Sequence, residues 1–189
     1  MRAGALSSPA AIERVDQRPP SWTQLAATWA AFAGVVLAVA VAVRLAMPGW
    51  LGDSGVRELP DGALLVLDIF VNNLLIALVP LFGGWLAAGH LNAGRRLVAG
   101  VFLVLPALVV GRSLVTVGAV GGGDPGWLVD SARWWLLEVG ALAVAARTGL
   151  WLARHAPLRD EYGPAAMRRA LAVIVCTLAA GATVEVLTA

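Results

Sequence analysis

The chain contains no lysine, and all 14 of its basic residues are arginine. This reads as the compositional bias of a GC-rich, bacterial genome rather than as a functional signal. Cysteine is nearly absent as well. With only Cys176, set inside an apolar segment, no intrachain disulfide can form, and the side chain reads as a small buried apolar group. Histidine is limited to His90 and His155, both in short polar turns away from the intramembrane acids, so neither a His-activated nucleophile nor a His-based metal triad can be assembled. No phosphate-binding P-loop string occurs, and an ATP-driven role would need a separate subunit. Charge of either sign is sparse: 14% of residues are charged, against about 25% in an ordinary soluble domain, and the net charge is only +2. There is no basic run and no basic–aromatic interleaving, which argues against a nucleic-acid partner.

What fills the chain is hydrocarbon. Apolar residues make up 59% of it and the mean hydropathy is +0.79, more than the core of a soluble domain this size requires. The fold class this implies is all-α: a polytopic transmembrane bundle of five spans. Residues 1–21 read as a disordered cytoplasmic tail and 22–189 as a single transmembrane domain, with helices at about 22–47, 62–89, 96–119, 127–154 and 165–188. The first span, at some 25 residues, exceeds the apolar region of a cleaved signal peptide and is expected to be retained. Residues 48–61 read as a loop with room for one short surface helix, and HLNAGR at 90–95 as a tight turn. Pro106 reads as a kink in the third span, VGGGDPG at 120–126 as irregular structure, and HAPLRDEYGP at 155–164 as a polar loop.

Arginine placement sets the orientation. Nine arginines (2, 14, 18, 95, 96, 154, 159, 168 and 169) flank one side of the bundle, and two (44 and 57) flank the other. By the positive-inside rule the N-terminus is cytoplasmic and the C-terminus outside. Trp22, Trp85 and Trp151 near the inner boundary, with Trp50 and Trp127 near the outer one, fit an interfacial aromatic belt.

The second span carries Asp68, Asn72 and Asn73, the third Arg112, and the fourth Asp130, Arg133, Glu138 and Arg147. A charged side chain at mid-depth costs about 2.5–3.5 kcal/mol unless another helix answers it. At 1.5 Å of rise per residue, Asp68, Arg112 and Arg133 fall about 9–10 Å below the outer surface and Glu138 about 16 Å below it. Asp68, Asn72, Asn73, Arg112, Arg133 and Glu138 therefore form the candidate polar cluster, with Arg112 expected to pair with Asp68 or Glu138 and Asn72 or Asn73 to bond across to another helix. Arg147 lies nearer the inner end and is able to snorkel there. The cluster admits two readings. It either fixes helix register or lines a polar cavity open to the outer face. Gly83, Gly84, Gly140 and Gly149 suit close helix packing in both.

Catalytic strings are weak. Gly121-Gly122-Gly123-Asp124 matches the GxGD string of intramembrane aspartyl proteases, but a glycine-rich loop generates it by chance and Pro125 follows at once. GRSL at 111–114 lacks the second glycine of a nucleophile elbow. The chain reads as non-enzymatic, with no cofactor and no metal.

The segment DIFVNNLLIALVPLFGG, residues 68–84, resembles the Asn-containing helix of the stage II sporulation protein M family. Over residues 62–154 the likeness continues in Glu138, followed by small residues and by Arg147 and Gly149, while Asp130-Ser131-Ala132-Arg133 stands where that family usually has a Pro-His segment. The resemblance implies a small multi-pass protein of the bacterial cytoplasmic membrane, a scaffold or subunit of a cell-envelope complex, with Asn72, Asn73 and Glu138 as the positions carried over. In that family the best-known role is to recruit cell-wall-remodelling proteins during engulfment of the forespore. The partners expected are the lipid bilayer and other membrane or envelope proteins, a second copy of the chain among them. The alternative is a permease-type subunit in which Asp68, Asn72, Arg112 and Glu138 line a solute path. Orientation is checked by alkaline phosphatase fusions, which should be active after residue 189 and after the first loop, and inactive after residue 92.

Overall fold

The computed structural model describes residues 19–47, 63–88, 96–154 and 159–188. The tail up to residue 18, the first loop, the turn holding His90, and the stretch holding His155 lie outside the described residues. The rest forms six helices: α1 (Trp22–Ala46), α2 (Ala63–Ala88), α3 (Arg96–Gly123), α4 (Pro125–Asp130), α5 (Ala132–Arg154) and α6 (Arg159–Thr188). All but α4 are long and apolar enough to cross a membrane, and no strand occurs among the described residues. The protein is an all-α, multi-pass membrane bundle with five spans.

Local chemistry sets the helix ends. At α1, Ser21 accepts from the Gln24 backbone N–H at 3.3 Å while the Gln24 side chain accepts from the Ser21 N–H at 3.1 Å, a reciprocal cap that satisfies two orphan donors. Three boundaries differ from the sequence-based expectation. The glycines at 121–123 are helical, because α3 continues through Gly123. The fourth span is not one helix from Trp127 but two, α4 and α5, broken at Ser131. Finally, α6 begins at Arg159, so residues 159–164 are helical. Polarity there marks where a helix leaves the hydrocarbon, not where its backbone bonds end. Pro106, like Pro80 and Pro164, lies inside a continuous helix.

The glycines of α3 stay helical because they are packed. A Cβ built on Gly118 would lie 2.6 Å from the Val36 carbonyl oxygen, and one on Gly122 would lie 2.6 Å from that of Ala40. Gly118 and Gly122 thus form a small-xxx-small face that lets α1 and α3 run side by side. Lipid tails are as apolar as leucine, so association between helices depends on close van der Waals contact rather than on expulsion from water.

Neighbour relations define a four-helix ring in the order α1–α3–α2–α5. Consecutive spans α1 and α2 sit diagonally across it, and α3 touches α5 only lightly. Outside the ring, α6 packs into the groove between α5 and α2. Antiparallel chain connections make α1 parallel to α3 and α2 parallel to α5. On one side of α5, Leu81, Leu152, Ile174 and Leu178 join α2, α5 and α6 in a core. On its other side, Val36, Val110, Leu114, Trp135 and Val139 join α1, α3 and α5. The most buried span, α5, is also the least apolar of the five, as expected of a helix that faces protein rather than lipid.

Two side chains sit differently from expectation. Cys176 is exposed on the outer face of α6 rather than buried, since Ile174 and Leu178 take the inward positions of that helix. Trp151 is only 7% exposed and belongs to the core, whereas Trp22, at 74%, is placed as a belt residue would be. Trp29 donates its indole N–H to the Leu136 carbonyl at 3.0 Å, tying α1 to α5.

The closest approach in the bundle is between α2 and α5. A Cβ on Gly84 would collide with the Gly149 carbonyl, and one on Gly149 with the Pro80 carbonyl. Both obstacles are backbone and cannot rotate away. Gly149→Ala and Gly84→Ala should each destabilise the bundle by about 1–3 kcal/mol or more, while Gly34→Ala, with nothing within 4 Å of the new methyl, should not. Thermal unfolding in detergent separates the three variants.

Candidate functional site

Asn73 stands ten residues into α2, about 15 Å along the helix axis, and Glu138 six residues into α5, about 9 Å along it. The structure joins them: Asn73 Nδ2 donates to Glu138 Oε1. The start of α5 therefore sits deeper than the start of α2, and Glu138 lies nearer its own helix end than a single unbroken fourth span would place it. The short helix α4 packs between the end of α3 and the start of α5.

That displacement has a local cause. Asp124 caps α4, its side chain accepting from the Trp127 N–H at 3.0 Å, with Pro125 at the first helical position, where a missing N–H costs nothing. After one and a half turns Ser131 turns inward and donates its hydroxyl to the Trp127 carbonyl. Trp135 then donates its indole N–H to Leu128 at 3.0 Å, and the rings of Trp127 and Trp134 meet edge to face at 5.6 Å. Asp124, the acid of the GxGD string, is thus a helix cap.

The α2–α5 pair is held at two points with one register. Asn73 to Glu138 spans 65 residues, and so does Gly84 to Gly149. The two contacts are 11 residues apart on each helix, just over three full turns, so both face the same seam. One contact is a hydrogen bond to a carboxylate, and the other is backbone against backbone.

Beside the clasp a cavity of about 500 Å³ opens between α2, α3 and α5, with Leu178 of α6 closing one wall. Asn72, Asn73, Arg112 and Glu138 line it, together with Ser113 and Thr116, which the sequence reading did not select. Neither hydroxyl residue is conspicuous in sequence, and only the rotation of α3 brings them to this face. Ser113 donates its hydroxyl to the Val109 carbonyl at 3.0 Å. Toward Gly84 and Gly149 a second space of about 420 Å³, lined by Phe32, Pro80, Val110 and Leu150 among others, is almost wholly apolar, and Leu114 borders both.

The expected cluster is therefore brought together in part. Asn72, Asn73, Arg112 and Glu138 share the cavity, whereas Asp68 and Arg133 are exposed and do not line it. The expected partnership of Arg112 with Asp68 or Glu138 is replaced, because Glu138 is engaged by Asn73. Arg112 makes no ion pair or hydrogen bond among the described residues, though it stands eleven residues inside the end of α3. A second carboxylate, Glu185 of α6, lies near enough to Glu138 to repel it. Its signal in the sequence was an ionisable residue near the end of the last span, at the same side of the bilayer as Glu138.

Asn73→Ala removes the donor and leaves a carboxylate oxygen without it, so the variant should lose about 1–3 kcal/mol of stability. Glu138→Gln keeps an acceptor for Asn73 and should lose less. A double-mutant cycle over Asn73 and Glu138 in thermal unfolding should show coupling, and one over Asp68 and Arg112 should show none.

Comparisons of the chain with protein-family models, with curated proteins and with solved structures give no match.

Proposed function

We propose that the chain is a non-enzymatic integral component of a bacterial cell-envelope complex, embedded in the cytoplasmic membrane with its N-terminus inside and its C-terminus outside, and similar in role to the stage II sporulation protein M family. The observation that carries this reading is the use made of its acidic and amide groups within and beside the spans. Asn73 and Glu138, two of the three positions that carry the resemblance, spend their hydrogen bond on registering two helices, and Asp124 spends its carboxylate on capping a third. Groups used in this way hold a fixed shape. A membrane scaffold needs a fixed shape, because its partners recognise helix faces that must keep their spacing. The outward faces of α1 offer such a surface: Leu37, Val41 and Leu45 are exposed, and only Val36 and Ala40 of that helix are buried.

One observation favours the second reading, a permease-type subunit. The cavity bordered by Asn72 and Arg112 holds more polarity than the clasp consumes. Single cysteines at positions 68, 72, 112 and 138 and in each loop, in a Cys176→Ala background, separate the two readings in intact cells. The scaffold reading expects loops to alternate in labelling and the cavity positions 72 and 138 to resist membrane-impermeant reagents. Labelling of those positions from outside would replace it with the permease.

A further inference from the structure

The cavity between α2, α3 and α5 is lined by a basic and an acidic side chain that do not close on each other. Arg112 and Glu138 border the same space of about 500 Å³, yet no ion pair joins them. In water such a separation costs little. Within hydrocarbon, an acid and a base facing one cavity meet, neutralise by moving a proton, or take a ligand that answers both. Glu138 is restrained where it is, because Asn73 holds one of its oxygens. Arg112 has the opposite circumstance: it is exposed to the cavity and engaged by no acid among the described residues. Asn72 and Thr116 add neutral polar groups to the same wall, and Ile76, Val109 and Leu142 make its remainder apolar.

We propose that this cavity binds a zwitterion, with a phosphate or carboxylate on Arg112 and an ammonium group on Glu138. A simple anion would satisfy Arg112 but face Glu138, and a simple cation would leave Arg112 unanswered. A zwitterion a few bonds long does neither, and any hydrocarbon attached to it finds an apolar wall. That chemistry is shared by the headgroup of an ethanolamine phospholipid and by a small free solute such as phosphoethanolamine. The site holds whichever reading of the whole protein applies, because it requires only that the bundle be assembled.

The test uses the full-length protein purified in detergent, with thermal unfolding and native mass spectrometry as readouts. The probes are phosphatidylethanolamine, phosphatidylglycerol, phosphoethanolamine, ethanolamine and inorganic phosphate, each added alone. Saturable binding and stabilisation by a zwitterionic probe, with none from phosphatidylglycerol, ethanolamine or phosphate, is the expected result. If only the phospholipid acts, the source is the bilayer. If phosphoethanolamine acts as well, or alone, it is a free solute. Arg112→Gln removes a side chain that the fold does not engage, and Glu138→Gln keeps an oxygen for Asn73, so both should assemble. Each should weaken binding by about tenfold or more, the value of one charge-assisted hydrogen bond. Equal binding of ethanolamine and glycerol phospholipids, no binding of either zwitterion, or binding unaltered in both variants would overturn the proposal.

Discussion

The parallel contact of α2 with α5 is the constraint on which the rest of the bundle depends. Gly84 and Gly149 bring the two backbones together with no room for a methyl group, and Asn73 and Glu138 lock the same seam three turns away. Either contact alone would leave a degree of freedom. A glycine crossing permits rotation and sliding, whereas a hydrogen bond permits tilt. Together, at one register, they fix the pair. The driving force suits the solvent: helices that gain nothing by leaving lipid associate through small residues and through polar groups that would otherwise be left in hydrocarbon.

Two further features follow from that pair. Because α5 is clamped to α2, its other faces are available to α1 and α6, and it becomes the most buried span despite being the least apolar. The start of α5 is also held deep, so the chain arriving from α3 has a gap to fill. It fills it with α4, capped by Asp124 and tied down by Ser131, Trp127 and Trp135. The Gly118 and Gly122 contact then seats α1 against α3 and closes the ring. The ring does not pack solidly. Where α3 only brushes α5, space remains along the seam, polar beside the clasp and apolar beside the glycines. A bundle built on two tight parallel pairs leaves its loosest packing across the diagonal, and that is where Arg112 and Asn72 find themselves. Among the described residues, this geometry leaves the outward helix faces and the diagonal cavity open to a partner or a solute.

The sequence by itself determined the solvent and therefore the fold class. Hydrocarbon forbids unsatisfied backbone, so five apolar runs of sufficient length had to be helices, and their number and approximate limits follow from length and hydropathy. It also determined that Asn73 and Glu138 needed partners, since a lone polar group in a span is costly, and it marked Gly84 and Gly149 as sites of close approach. Which partner each polar group takes was decided only by the tertiary structure. Depth estimates counted along single helices brought Arg112 and the acids to similar levels, but depth does not give rotation. The rotation of α3 turned Arg112 into the cavity, while the register of α2 on α5 delivered Asn73 to Glu138 first. The break at Ser131 and the helical run through Gly121–Gly123 were hidden for the same reason. Glycine propensity is a local quantity, and here it was overridden by contacts with α1 and α4 that no local pattern contains.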